Sequence, residues 1–248
     1  MSDNNISLVF PVMNRTHVLV QSVPTWLQSE LVDEVVIVDW SSNIPIYEDP
    51  LTQSIVSDPR VRIVRIDNEP FFLNPSFSIN VGVVKSTHPH ILKLDIDYQL
   101  IDIKFMSLIK KLLPKLNDGF FITDFAYLED LISMMGFVFF HKKHFEMVGG
   151  YNEIFRGWGY EDIHMYNKLS QVCQKYIISN LTKFIFHIPH DDVLRNENHI
   201  DKYIAIVDNE RKNRERSMAE PPPMSQYKTT KILVENDIIK YEIMERLK

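Results

Sequence analysis

Four runs of this chain are apolar almost without a break, and each stops abruptly at polar residues. Ile6–Val12 (ISLVFPV) ends at Met13-Asn14-Arg15. Val35–Val38 (VVIV) ends at Asp39-Trp40-Ser41-Ser42. Val61–Ile66 (VRIVRI) is a third run, and Ile91–Leu94 (ILKL) ends at Asp95-Ile96-Asp97. Between them lie stretches of helical spacing, at 18–31 and 78–85. A strand whose neighbouring residues are all apolar is covered on both faces. Such strands alternating with helices predict an α/β fold with a mostly parallel central sheet.

In sheets of this kind ligands bind outside the carboxyl ends of the strands. The residues that close the runs are therefore the first site candidates: Asn14 and Arg15, Asp39 to Ser42, and Asp95 to Asp97. Further along, 103–116 reads as a helix, 120–125 and 136–140 as strands, and 142–148 as a short helix. A helix is expected over 163–174, a strand over 183–188 and a charged helix over 198–216. Pro221–Pro223 reads as a stiff linker. The apolar pairs at 232/233, 238/239 and 243/244 predict an amphipathic helix over 229–247. The expected organisation is one domain over 1–216 with a linker and helical extension over 217–248.

Composition narrows the partners. A net charge of −6 and a pI of about 5.8 supply no basic footprint for nucleic acid. The single cysteine, Cys173, cannot form an intrachain disulfide and fits a reducing compartment. The polar start MSDNNIS and the lack of a long apolar run predict a cytoplasmic chain without a membrane segment. Oligomeric state is not legible.

Only seven glycines occur in 248 residues, and four lie in GGYNEIFRGWGYEDIH, Gly149–His164. Gly157 and Gly159 flank Trp158, and Glu161-Asp162 follows. The bland reading is an acid pair capping the helix that starts at Ile163. The functional reading is a carboxylate base beside a hydroxyl-binding carboxylate, with Trp158 as a platform for a sugar face. The other motifs divide in the same way. Asp95-x-Asp97 is either an ordinary strand-end pair or a chelator of a divalent ion that also holds a diphosphate. Asp39 is either a turn aspartate or an acceptor for a nucleobase or ribose. His187 and His190, spaced H-x-x-H, are either structural or complete a mixed oxygen and nitrogen shell, which suits Mn2+ better than Mg2+.

Together these segments resemble the glycosyltransferases of the GT-A fold, most closely the family 2 enzymes and the β-1,4-galactosyltransferase group. PVMNR (Pro11–Arg15) and VIVDWSS are similar to nucleotide-binding strand ends. LNPSFSINVG (Leu73–Gly82) is similar to the galactosyltransferase pattern F-N-R-A-x-x-x-N-V-G. KLDIDY carries the D-x-D. The stretch from Gly136 to Asp162 resembles the segment that binds donor and acceptor, and HDDVLRNEN resembles the one that opens on a metal-binding histidine.

The resemblance implies a Rossmann-like GT-A domain that moves a hexose or N-acetylhexosamine from a UDP-sugar to a hydroxyl of a saccharide or glycoconjugate acceptor. It implies inversion, with a retaining transferase or an inactive nucleotide-sugar-binding module as alternatives. The cofactor would be Mn2+, or Mg2+ in its place. Asp162 would be the base. Glu161, Trp158, Gly136 and Gly157 would contact the sugars. Pro11, Asn14, Arg15, Asp39, Asn80, Asp95 and Ile96 would line the nucleotide. Asp97, Asp95, His190 and His187 would hold the metal. One departure is evident: Pro75 stands where the pattern has a diphosphate-binding arginine, which leaves Lys85 or Lys93 as a replacement.

Overall fold

The computed structural model describes residues 4–67, 74–123, 134–178, 180–190 and 206–247. In chain order its elements are β1 (Ile6–Val12), α1 (Thr16–Leu27), β2 (Glu34–Trp40), α2 (Gln53–Val56), β3 (Val61–Asp67), α3 (Pro75–Lys85), β4 (His90–Lys93), β5 (Tyr98–Leu100), α4 (Lys104–Asn117), β6 (Phe120–Thr123), β7 (Val138–His141), α5 (Lys142–Met147), α6 (Glu161–Leu169), β8 (Gln174–Ile177), β9 (Ile185–His187), α7 (Ile206–Arg216), β10 (Tyr227–Glu235) and β11 (Ile238–Arg246).

Nine strands form one sheet in the order β10-β11-β3-β2-β1-β4-β7-β6-β8. The centre is parallel: β3, β2, β1 and β4 run together, as the unbroken apolar runs predict. Alternate residues of β1 serve opposite faces. Leu8 and Phe10 join a core with Val23 and Trp26 of α1 and Phe105 and Ile109 of α4. Val9 joins the other core with Ile79 and Val83 of α3 and Met165 of α6. Chain order reverses between β1 and β4, so the crevice outside their carboxyl ends lies at the switch point, where α/β sheets bind ligands.

A small second sheet positions the site. β5 pairs antiparallel with β9, with Tyr98 opposite His187. Trp26 of α1 fixes β5 by donating its indole N–H to the Tyr98 carbonyl at 2.8 Å. The pairing draws the H-x-x-H segment against the D-x-D segment, and Ile188 donates its N–H to the Asp97 carbonyl at 2.8 Å.

Two expectations are corrected. The helix expected over 163–174 ends at Leu169, and Gln174–Ile177 pairs parallel with β6. The sequence QKYI hides this strand because it lies at the sheet margin and is largely exposed. The amphipathic helix expected over 229–247 is a β-hairpin, β10–β11. Asn236 and Asp237, both with φ above zero (50° and 63°), make the two-residue turn that twisted hairpins favour. Tyr241 and Met244 of β11 are buried, and β11 runs parallel to β3. The apolar pairs that mimic helical spacing are strand residues. The tail is therefore continuous with the main sheet. The segment after Pro221–Pro223 is also docked: the Ser225 N–H and hydroxyl donate to the buried Glu153 carboxylate at 2.8 and 2.7 Å. The charged helix expected over 198–216 is seen as α7, and residues 198–205 lie outside the described set, as do 124 and 125 of the strand expected over 120–125.

Candidate active site

At the end of β1, Asn14 turns the chain with φ 53°. Its N–H donates to the Ser42 hydroxyl at 3.0 Å, and its side-chain oxygen accepts from the Asn43 N–H at 2.8 Å. This ties the β1 loop to the β2 loop. Asp39 is fully buried at the end of β2. It accepts from the Ser42 and Ile46 N–H groups at 3.1 and 3.2 Å and pairs with Arg65 at 2.7 Å. Asp39 thus organises the loop from inside.

Arg15 is 7% exposed and reaches Asp97 Oδ2 at 3.3 Å with Nη1. Its Nε and Nη2 are buried and have no hydrogen-bond partner among the described residues. Buried donors of a guanidinium normally find partners, so this end of the crevice is built for an acceptor.

Asp97, His187 and His190 form a compact donor group, with one ligand atom from each lying within 4.8 Å of the others. His190 Nε2 is 3.1 Å from Asp97 Oδ2, and His187 Nε2 is 3.5 Å from Oδ1. Among the described residues Oδ1 has no donor in full hydrogen-bonding geometry, and His187 is its long contact at 3.5 Å. Burial would raise the Asp97 pKa, but hydrogen bonds from the two histidines and the Arg15 charge hold it well below the usual carboxylate range. An ionised oxygen donor beside two imidazoles fits a divalent ion of the Mn2+ type.

The acid pair at the start of α6 lines one cleft with His187. Glu161 is 6% exposed, and its Oε2 has no partner among the described residues. Burial, reinforced by the charge of Asp162, pushes its pKa up to about 8. Asp162 is also raised by burial, against which the Lys93 cation acts. Lys93 Nζ lies 3.0 and 3.1 Å from the two Asp162 oxygens and 3.0 Å from Asp95 Oδ1. The Tyr151 hydroxyl donates to Asp162 Oδ1 at 3.1 Å.

The glycine-rich stretch shapes the wall. Gly157 and Gly159 have φ of 59° and 105°, and Tyr160 follows at 75°. This left-handed run carries the half-buried Trp158 to the cleft and starts α6 immediately after it. Asn209 and Asn213 of α7 fasten the stretch. Asn209 donates to the Arg156 carbonyl at 2.9 Å and to that of Trp158, and Asn213 donates to the Gly159 carbonyl at 2.9 Å. A β-carbon on Gly159 would sit 3.1 Å from Glu210 Cβ. Gly136 serves a different contact: a β-carbon there would fall 2.0 Å from Asp95 Oδ2. Together Asp95, Gly136, Trp158, Glu161, Asp162 and His187 line one cleft of about 180 Å³.

Not every expected residue reaches this cleft. Pro11 is enclosed within β1, and the Ile96 side chain is packed in the core. Asn80, 3% exposed on α3, grips the backbone of Tyr151 and the carboxylate of Glu153. Asp95 stands outside the Asp97–histidine triad, with Lys93 as its partner. Lys85 pairs with Glu242 of β11 at 2.5 Å, on the hairpin side. Leu73 and residues 191–198 of the resembling segments lie outside the described set. Tyr151, Asn209 and Asn213 carry no sequence signal of their own. Lys93 has one: a lysine inside the run ILKL must find a buried counter-charge.

Comparison with known proteins bears on the fold. Residues 128–191 match the family model described as the N-terminal domain of galactosyltransferase. No curated protein sequence matches the chain. Among solved structures, Drosophila β-1,4-galactosyltransferase 7, a mutant in complex with manganese, UDP-Gal and xylobiose, is similar with a TM-score of 0.59 at 15% identity, over 98% of this chain and 94% of that one. The catalytic domain of the same Drosophila enzyme with xylobiose gives 0.57 at 17% identity, again over 98% and 94%. The mannosyltransferase PcManGT from Pyrobaculum calidifontis, in complex with GDP-Man and Mn2+, gives 0.57 at 13% identity over 71% of this chain, which spans only 55% of that protein's length. The chain has the GT-A fold seen in these glycosyltransferases, and the segment that matches the galactosyltransferase model includes Gly136, Glu161 and Asp162 of the cleft.

Proposed function

We propose that this protein is a metal-dependent, inverting glycosyltransferase that moves a hexose or N-acetylhexosamine from a UDP-sugar to a saccharide hydroxyl. The observation that carries the reading is one cleft lined by Glu161, Asp162 and His187, the last a member of the compact Asp97–His187–His190 donor group. The complexes of the similar structures, with manganese and nucleotide sugars, support the same choice of ligands.

Asp97, His187 and His190 would hold a divalent ion, which when bound offsets the charge on the leaving UDP. Arg15 offers the nucleotide diphosphate its Nε and Nη2, which have no partner among the described residues. Trp158 gives the sugar an apolar face. Glu161, protonated near neutral pH, donates a hydrogen bond to a sugar hydroxyl. Asp162, ionised against Lys93, takes the proton of the acceptor hydroxyl as that oxygen attacks the anomeric carbon and the bond to the diphosphate oxygen breaks. A base of this kind contributes ~10²–10⁴ in rate.

The test is a thermal-shift series with UDP, GDP, CMP and dTDP, each with and without Mn2+, followed by UDP-sugars and anomer analysis of the product. Stabilisation by UDP that requires Mn2+ is the expected result. No response to any nucleotide would overturn the reading, and UDP binding without transfer or donor hydrolysis would reduce the chain to a binding module.

A further inference from the structure

The carboxylate of Asp162 is held by two side chains that have no assigned part in sugar transfer. Lys93 lies on β4, 2% exposed, and spans both oxygens. Tyr151, 1% exposed in the glycine-rich stretch, donates its hydroxyl to Oδ1. Tyr151 is itself fixed from the opposite side. Asn80 Oδ1 accepts the Tyr151 N–H at 2.7 Å, and Asn80 Nδ2 donates to the Tyr151 carbonyl at 2.9 Å and to Glu153 Oε1 at 2.8 Å. A side-chain amide bonded to both ends of one residue leaves that residue little freedom. The chain of contacts runs from α3 through Tyr151 to the first turn of α6.

We infer that Lys93 and Tyr151 form a two-point clamp that orients the Asp162 carboxylate and leaves Oδ2 as the atom that takes the acceptor proton. An ionised carboxylate has about four lone-pair sites, two on each oxygen. Oδ1 accepts from Lys93 and from Tyr151, so its capacity is filled. Among the described residues Oδ2 accepts from Lys93 alone. The proton of the acceptor hydroxyl passes to that remaining lone pair while the hydroxyl oxygen forms the new bond to the anomeric carbon and the bond from that carbon to the diphosphate oxygen breaks, releasing UDP with the electron pair. Tyr151 and Asn80 are positioning residues that act through Asp162, whereas Lys93 touches both carboxylate oxygens, including the one that takes the proton. The inference rests on Asp162 being the base. It also removes Lys93 from the list of diphosphate contacts, because its ammonium is committed to two carboxylates.

Tyr151→Phe is the variant of choice, since it removes one hydroxyl and keeps the ring packed. Lys93→Met would strand two carboxylates and risks the fold. Two measurements are made on wild type, Tyr151→Phe, Asp162→Asn and the double variant. One is UDP release from UDP-galactose with Mn2+ and xylobiose. The other is the infrared carboxylate stretch of 13C-aspartate-labelled protein, with the Asp162 band isolated by difference against Asp162→Asn. The expected result is a shifted Asp162 band in Tyr151→Phe, kcat lower by about tenfold with donor KM unchanged, and no further loss when the substitution is added to Asp162→Asn. An unshifted band overturns the clamp whatever the activity. Wild-type turnover in Tyr151→Phe with Asp162→Asn inactive overturns the clamp and spares the base. Full turnover in Asp162→Asn overturns both.

Discussion

Asn213 of α7 bridges the two ends of the tryptophan turn. Its Nδ2 donates to the Gly159 carbonyl at 2.9 Å, and its Oδ1 accepts the Arg156 N–H at 3.0 Å. The side chain is fully buried, so these bonds have no water to replace them. Asn213→Ala leaves a carbonyl and an N–H unsatisfied and should cost about 1–3 kcal/mol of stability. The turn that presents Trp158 should also loosen. The expected outcome is a lower melting temperature together with a raised acceptor KM. A variant that melts like wild type would mean that α7 merely rests on the turn.

The histidines make a prediction about metal. Even partners outside the coordination shell change metal affinity by ~10–100-fold, so loss of a direct ligand should exceed that. His190→Ala should weaken Mn2+ binding on the order of a hundredfold or more, read by calorimetry in the presence of UDP. Chelation of metal from wild type should abolish the Mn2+-dependent thermal shift. Unchanged Mn2+ affinity in the variant would move the metal away from Asp97.

Gly136 tests the first aspartate of the D-x-D. A methyl group there falls 2.0 Å from Asp95 Oδ2, so the carboxylate must swing away and its 3.0 Å contact with Lys93 must change. The clash is with the whole Asp95 carboxylate, its Cγ at 2.2 Å included, and with no backbone atom among the three nearest. Gly136→Ala should therefore lose most turnover while its melting temperature stays close to that of wild type. Retained turnover would show that the Asp95 position does not matter to the reaction.

His164, one turn into α6, predicts a pH dependence of stability. Burial beside Phe155 and Tyr160, with Lys168 adding positive charge, lowers its pKa from 6.5 to about 4. The folded state resists protonation that the unfolded chain accepts. Its stabilising contribution is complete above pH 6.5, declines as pH falls, and is lost through pH 4. Melting curves between pH 7 and pH 4 should fall less steeply for His164→Gln than for wild type. Parallel slopes would place the acid sensitivity elsewhere.

The parallel core of the sheet and the strand-end aspartates are readable in sequence, because both follow from local pattern: apolar runs need two covered faces, and charged residues must stop them. The candidate site is legible only where the proposed chemistry needs a recognisable type at a recognisable place, as at Asp97, His187, His190 and Asp162. Its supports are not. Tyr151 looks like any core tyrosine until α6 brings Asp162 to its hydroxyl. Asn209 and Asn213 look like solvent-facing residues of a charged helix until the glycine-rich turn is laid across them. Asn80 follows the resembling pattern in sequence but packs against Tyr151 and Glu153. The hairpin β10–β11 shows why spacing alone misleads. Paired apolar residues four to six apart satisfy a helical reading, and the turn at Asn236-Asp237 is the only strong local sign against it.

The insertion of β11 beside β3 joins segments separated by most of the chain. Local contacts can form early, but this pairing must close a loop that contains the whole of the cleft, which is entropically slow. The edge of the sheet next to Asp39 and Arg65 is thus completed last. The Asp39 loop, which Arg65 of β3 holds in place, should therefore gain its native hydrogen-exchange protection only in the final kinetic phase of refolding, after most helical signal has already returned.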